Sequence, residues 1–264
     1  MALTKPYNVT VKICGIQTTE AAVAASEAGA DIIGMIFAPS PRLIDVSTAK
    51  EIAQAVYNAG AAADGEQDAA LLAHPSIASG STPSEFFSAC SQHTLDMRQR
   101  FGRPLLAGVF QNQPLEHILE VARSVPLDMV QLHGTESVEM ARLIPVPVIK
   151  VFHVDDTFSL DGESDLLRTF HHSVILLDTK VAGTSQQGGK GVSFDWTIAR
   201  KLSDKGVPFL MAGGLTPENV CEAVQIGRPW GVDVSSGTET NKVKDPSKIL
   251  AFVRRAKEND YVAE

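Results

Sequence analysis

The chain has 264 residues, 44% hydrophobic and 20% charged, with a formal net charge of −8 at pH 7, the composition of a well-buried globular protein. An acidic balance without a run of Lys or Arg argues against nucleic acid or an anionic membrane as partner, and no apolar stretch approaches the roughly 18 residues of a membrane span. Cys14, Cys90 and Cys221 are odd in number and widely spaced, which fits neither a disulfide framework nor a zinc cluster; a reducing, cytoplasmic compartment is expected, and residues 1–8 lack the basic and then apolar segments of a secretory leader.

The first recognisable element is the apolar run Val11-Lys12-Ile13-Cys14, which reads as a strand and stops at Gly15. Residues 18–28 follow as an Ala-rich helix with Glu20 in its first turn and Gly29 after its last. Residues 31–37 form a near-continuous apolar run, the pattern of a parallel strand covered on both faces. Ala38-Pro39-Ser40-Pro41-Arg42 can continue neither a strand nor a helix, so it is a loop that presents one cation; Asp45 or Ser47 then caps a helix reaching residue 59.

From about 60 to 103 the rhythm breaks into Ala, Gly, Ser and Pro clusters with a helix expected over 84–100, which reads as a surface excursion inserted between the second helix and the third strand, on the face opposite the strand ends and without a direct catalytic role. His74, Cys90 and His93 fall there at irregular spacing, so no metal site is expected. Strands are then expected at 105–110, 128–134, 146–152, 174–178, 207–212 and 230–234, with helices at 115–123, 137–143, 165–171 and 194–202, one opened by Thr216-Pro217-Glu218, and a last one from Asp245-Pro246 to Lys257. Eight strand and helix alternations with right-handed crossovers make an α/β chain: a single (β/α)8 TIM barrel over residues 1–264 with an insertion at about 60–103. The doubly wound open sheet is the alternative, but no GxGxxG follows the first strand.

In such barrels chemistry gathers at the C-terminal strand ends. Those ends carry Cys14, Arg42, Gln131 with His133, Asp178, Gly213 with Gly214, and Ser235-Ser236-Gly237. The two glycine- and serine-rich loops follow strands seven and eight, where barrels commonly hold phosphate on backbone N–H groups. Arg42 is either a bidentate carboxylate clamp or an ordinary surface arginine. Asp178 ends a strongly apolar strand, where burial favours the neutral acid, although a salt bridge or helix cap would also place a carboxylate there. Cys14 is either a small core residue or a base facing Asp178 across the barrel mouth. Gln131 and His133 either meet the ligand or support those that do, and Gly188-Gly189-Lys190-Gly191 is a candidate lid.

Taken in order, seven segments resemble the N-(5'-phosphoribosyl)anthranilate isomerase family. They are Lys12-Ile13-Cys14-Gly15, Ser40-Pro41-Arg42, Gln131-Leu132-His133-Gly134, Leu177-Asp178, Gly188-Gly189-Lys190-Gly191 with Phe194-Asp195-Trp196, Ala212 through Val220, and Val232-Asp233-Val234-Ser235-Ser236-Gly237. The resemblance implies an Amadori rearrangement of phosphoribosylanthranilate in tryptophan biosynthesis, without metal or organic cofactor. It implies Cys14 as the base that takes the ribose C2' proton, Asp178 as the acid for the ring oxygen, Arg42 for the anthranilate carboxylate, and the Gly213, Gly214 and Ser235, Ser236, Gly237 loops as the phosphate cradle. Leu43, Thr238 and Lys242 depart from the family's usual aromatic, Val and Gly. A histidine-pathway aminoaldose isomerase, with carboxylates in both roles, and a non-catalytic sugar-phosphate binder are the rivals; Cys14 disfavours the first. Barrels of this kind occur as monomers and homodimers, and no stripe in the sequence decides between them.

Overall fold

Eight short runs of Val, Ile, Leu, Met and Phe become strands buried on both faces. They are β1 (Thr10–Cys14), β2 (Ile32–Ile36), β3 (Leu105–Phe110), β4 (Met129–Leu132), β5 (Val148–Val154), β6 (Val174–Thr179), β7 (Phe209–Met211) and β8 (Gly231–Val234). All neighbours pair in parallel, and β8 bonds back to β1, so the sheet closes into the expected barrel. The computed structural model describes residues 9–60, 72, 75, 77–155, 158–160, 165–179 and 194–258; the glycine-rich segment 188–191 and His74 lie outside them.

Side chains alternate along a strand. Val11 and Ile13 on β1 therefore join the outer core under the helices, while Thr10, Lys12 and Cys14 point to the barrel axis. The same alternation turns Gln131, Leu176 with Asp178, and Asp233 inward on β4, β6 and β8. The lower interior is apolar, filled by Ile32, Leu105, Met129, Ile149, Val174 and Leu210.

The helices are α1 (Thr19–Glu27), α2 (Val46–Ala59), α3 (Pro83–Phe101), α4 (Leu115–Ser124), α5 (Val138–Ala141), α6 (Trp196–Asp204), α7 (Val220–Gly227) and α8 (Pro246–Lys257). Thr18, Asp45, Asp195 and Asp245 cap α1, α2, α6 and α8 by accepting backbone N–H bonds, so Asp45 and not Ser47 opens α2.

As expected, residues 83–101 of the insertion lie on the face opposite the strand ends, but there they pack into the barrel and are not a surface excursion. Helix α3 is closed at its start by a capping box between Thr82 and Glu85 and at its end by Gly102 at φ 61°. It then crosses the N-terminal face of the barrel. Ser84 donates a 2.7 Å bond to the Gly206 carbonyl just before β7, and Phe86 and Phe87 pack on Phe170 and His172 before β6. Met97 enters the interior cluster, and Arg98 reaches Asp31 (3.2 Å) ahead of β2. Arg103 then holds buried Asp128 through 2.6 and 3.0 Å bonds. The helix is the floor of the barrel.

Other expectations change in detail. Residues 165–171 form turns, because Phe170 takes φ 62° and no right-handed helix passes through that conformation. The helix expected at 137–143 shrinks to the single turn α5 ahead of Pro145, and α7 starts at Val220, with Asn219 bonding back to Thr216. A hairpin unseen in the sequence, β9 (Glu239–Thr240) and β10 (Val243–Lys244), follows a 3-10 turn at Ser236–Thr238. Its two turn residues, Asn241 and Lys242, sit at φ 52° and 65°, as a tight hairpin requires.

Because Met97 plugs the floor with no exposed surface, Met97→Ala should cost about 2–5 kcal/mol of unfolding free energy, the usual range for a large core truncation. Urea denaturation measures this, and the properties of the mouth should not change.

Candidate active site at the barrel mouth

An open cavity of about 930 Å³, counted with its mouth, lies over the C-terminal strand ends. Cys14, Arg42, His133, Asp178, Gly213, Gly214, Ser235 and Ser236 line it, from elements spread over most of the chain. Two expected residues are not on its wall. Gln131 is fully buried behind His133, and Gly237 serves a close approach of loops, since a Cβ there would strike the Leu215 carbonyl.

Cys14 is the last inward residue of β1 and only 5% exposed. Burial pushes its thiol pKa up, and the ammonium of Lys12, one inward step below, pulls it down. Gly34 on β2 makes room for both: a Cβ there would stand 2.8 Å from the sulfur and 3.0 Å from Lys12 Nζ. Lys12 is wholly buried and pairs with Asp233 at 2.8 Å. Burial opposes its charge, but Asp233 and Cys14 hold its pKa above the ordinary lysine value, so it remains an ammonium.

Asp178 closes β6. Burial first, and the Asp233 carboxylate second, raise its pKa to about 7, against the Thr179 N–H that it accepts at 2.8 Å and the Lys12 cation. At neutral pH it is poised between acid and carboxylate. His133 Nε2 stands 3.5 Å from Asp178 Oδ2, and the Gln131 amide nitrogen lies 2.9 Å from His133 Nδ1. An amide N–H given to Nδ1 leaves the neutral ring its proton on Nε2, facing the acid.

Arg42 emerges from the loop after β2, its N–H bonded to Ser40 Oγ at 3.1 Å. Its Nε and Nη2 grip Glu239 at 2.5 and 2.8 Å, and Lys244 approaches the same carboxylate at 3.2 Å. Burial works against the Glu239 charge, yet Arg42 and Lys244 hold its pKa below the usual range. The guanidinium is thus fixed along one edge, and its Nη1 end is not engaged by Glu239.

At the loops after β7 and β8, Gly213 and Gly214 take φ 88° and 62°, a left-handed pair that presents consecutive N–H groups. A Cβ on Gly213 would collide with Thr179. Ser235 Oγ is buried and, among the described residues, has no protein hydrogen-bond partner. These groups form a concave donor surface suited to an anion.

The sequence reading passed over Lys12, Asp233, Glu239 and Lys244. Lys12 and Asp233 gave one signal, a lone charge at an inward position of an apolar strand; Glu239 and Lys244 gave none, because strands of two residues leave no pattern. Among the described residues, no group of three or more His, Cys, Asp or Glu could hold a metal ion, and no helix is long and apolar enough to cross a membrane.

A thiol and a carboxyl converge on one cavity at the C-terminal mouth of a (β/α)8 barrel, the place where such barrels carry an enzyme's active site. The family model for N-(5'phosphoribosyl)anthranilate (PRA) isomerase matches residues 61–255. A multifunctional tryptophan biosynthesis protein of Phycomyces blakesleeanus is 42% identical over 94% of this chain and 33% of its own length, and the N-(5'-phosphoribosyl)anthranilate isomerase of Roseiflexus castenholzii is 39% identical over 94% of this chain and 97% of its own. A crystal structure of phosphoribosyl anthranilate isomerase in complex with reduced 1-(o-carboxyphenylamino)-1-deoxyribulose 5-phosphate superposes with a TM-score of 0.65 at 32% identity, covering 94% of this chain and 98% of that one. The chain belongs to the N-(5'-phosphoribosyl)anthranilate isomerase family. It spans only 29–48% of the length of several longer curated relatives that it matches.

Folding raises the Asp178 pKa from 3.8 to about 7, so the folded state holds the extra proton and this group's contribution to stability falls as pH rises between those values. Asp178→Asn removes that penalty. Its gain in unfolding free energy should be near zero at about pH 4 and reach a few kcal/mol above about pH 7, as read by denaturant titrations at the two ends.

Proposed function

We propose that this barrel is a single catalytic domain that isomerises N-(5'-phosphoribosyl)anthranilate to 1-(o-carboxyphenylamino)-1-deoxyribulose 5-phosphate by acid–base chemistry, with no cofactor. The observation that carries the reading is that Cys14 and Asp178, 164 positions apart in the sequence, line one cavity together with the fixed guanidinium of Arg42 and the donor loops at Gly213 and Ser235. Its support among relatives is the ligand of the solved family member, which joins a carboxyphenyl group to a ribulose phosphate.

The anionic tail of the substrate would sit on the N–H groups of Gly213 and Gly214 and on Ser235 and Ser236, with the anthranilate carboxylate at the Nη1 end of Arg42. Asp178 gives its proton to the ribose ring oxygen as the C1'–O bond breaks, and the anthranilate nitrogen supplies the electron pair that forms C1'=N. The thiolate of Cys14 then takes the C2' proton, and the electrons of that bond move to C1'=C2' and neutralise the nitrogen. The resulting enolamine becomes the ketone by losing the C2' hydroxyl proton and gaining one at C1'. His133, with its proton on Nε2, steadies the Asp178 carboxylate after it has given its proton away. Gln131 acts behind it by orienting the ring. Cytoplasmic residence fits the use of Cys14 and Cys90 as thiols.

Turnover is followed by the loss of substrate fluorescence, and a purified chain that shows no loss above the uncatalysed rate refutes the reading. Cys14→Ala and Asp178→Asn should each lower kcat by about 10² or more, the size of a general acid–base contribution, while inorganic phosphate still binds. Glu239→Gln loosens the guanidinium without touching either proton carrier. It should raise KM about tenfold, roughly 1.4 kcal/mol, with kcat within a few-fold of the parent, and equal losses in both would discard Arg42 as the carboxylate clamp.

A further inference from the structure

One inward step below the mouth, β3, β5 and β6 carry Ala107, Val151 and Leu176, whereas β1 and β8 carry Lys12 and Asp233. The two charges meet at 2.8 Å with Lys12 fully buried and Asp233 7% exposed. A neutral pair of similar volume in such a position generally leaves stability unchanged or improves it, because desolvation consumes the Coulomb gain. The charges therefore call for a reason other than packing.

Their placement supplies one. Lys12 Nζ and Cys14 Sγ share the hollow over Gly34, and the ammonium, hydrogen-bonded to Asp233, pulls the thiol toward its charged form. The Asp233 carboxylate lines the same cavity wall as Asp178. We propose that the Lys12–Asp233 pair is the positioning element of the site, its cation favouring the thiolate at Cys14 while its anion favours the protonated carboxyl at Asp178. The proposal rests on the acid–base reading given above and adds to it what sets the two protonation states.

The reaction needs a deprotonated thiol and a protonated carboxyl at once. The thiol, raised by burial, titrates above the Asp178 carboxyl at about 7, so the reactive form is a minority of the enzyme, and its share falls tenfold for each pH unit that separates the two groups. At Cys14 the pull of Lys12 outweighs the push of Asp233; at Asp178 the order reverses. The pair thus narrows the separation from both sides. Lys244 and Arg42 also face Cys14, and His133 with Thr179 N–H also faces Asp178, but each of these acts on one group alone.

The test is the nearly isosteric neutral double variant Lys12→Met with Asp233→Asn, compared with the parent chain. In this regime the low-pH limb of kcat/KM belongs to Asp178 and the high-pH limb to Cys14. The double variant should show a wider but lower profile: the low-pH limb moves down, the high-pH limb moves up, and the plateau falls tenfold or more. Cys14 alkylation by iodoacetamide, followed by peptide mass mapping, should shift its midpoint to higher pH. Asp233→Asn alone keeps the cation, so both limbs should move to lower pH, which gives a second reading if the double variant does not fold. Limbs and alkylation midpoint within the parent's error would overturn the proposal and leave the pair a structural one. If the parent chain has no isomerase activity, the reaction assignment fails, and the alkylation midpoints still decide whether the pair poises the thiol.

Discussion

Every feature of this molecule descends from the two-residue repeat of a strand, imposed on eight strands closed into a ring. Closure leaves one face of each strand to the helices and the other to the axis, and the last inward residue of each strand falls on a common rim. Cys14, His133, Asp178 and Ser235 are assembled there by the same alternation that buries Val11, Ile13 and Leu177 outside. A shift of one residue in β1 would put Ile13 at the rim and Cys14 under a helix. The pairing of β1 with both β2 and β8 prevents it.

The polar interior is confined to the upper part of the barrel. Below it, Ile32, Met129, Val174 and Leu210 fill the axis, and this apolar base supports the strands on which the charged groups stand. Above it, each charge has its partner: Lys12 with Asp233, and Arg42 with Glu239. Asp178 differs, since its nearest side-chain contact of opposite character is a histidine at 3.5 Å, and burial without full compensation leaves it poised between acid and carboxylate near neutrality. Stability and reactivity are thus divided between groups of adjacent layers.

Cys14, Arg42, Asp178 and the two glycine- and serine-rich loops were legible in the sequence because each interrupts an apolar run at its end, where a barrel exposes chemistry. Lys12 and Asp233 lie inside such runs, and only the inward phase of their strands, visible after closure, distinguishes them from tolerated polar residues. Glu239 was illegible for another reason: its hairpin is two residues per strand and held by the left-handed conformations of Asn241 and Lys242, which local preference disfavours for lysine. The Lys242 that departs from the family's glycine sits in the very turn that delivers Glu239 to Arg42. Helix α3 was readable as a helix on the face opposite the strand ends, but its packing into the barrel was not, because its contacts at Asp31, Phe170, His172 and Gly206 are scattered over the chain and none has a recognisable motif.

Placing α3 beneath the strands turns the interior, among the described residues, into a well that opens at the mouth. Among the described residues, Met97 and its neighbours stop the lower end, and the groups that a ligand would cover stand at the mouth. A ligand seated in the well would therefore act as its stopper and dry it from above. The local dielectric would fall at that moment, and the influence of every fixed charge in the wall would grow just when a proton has to move.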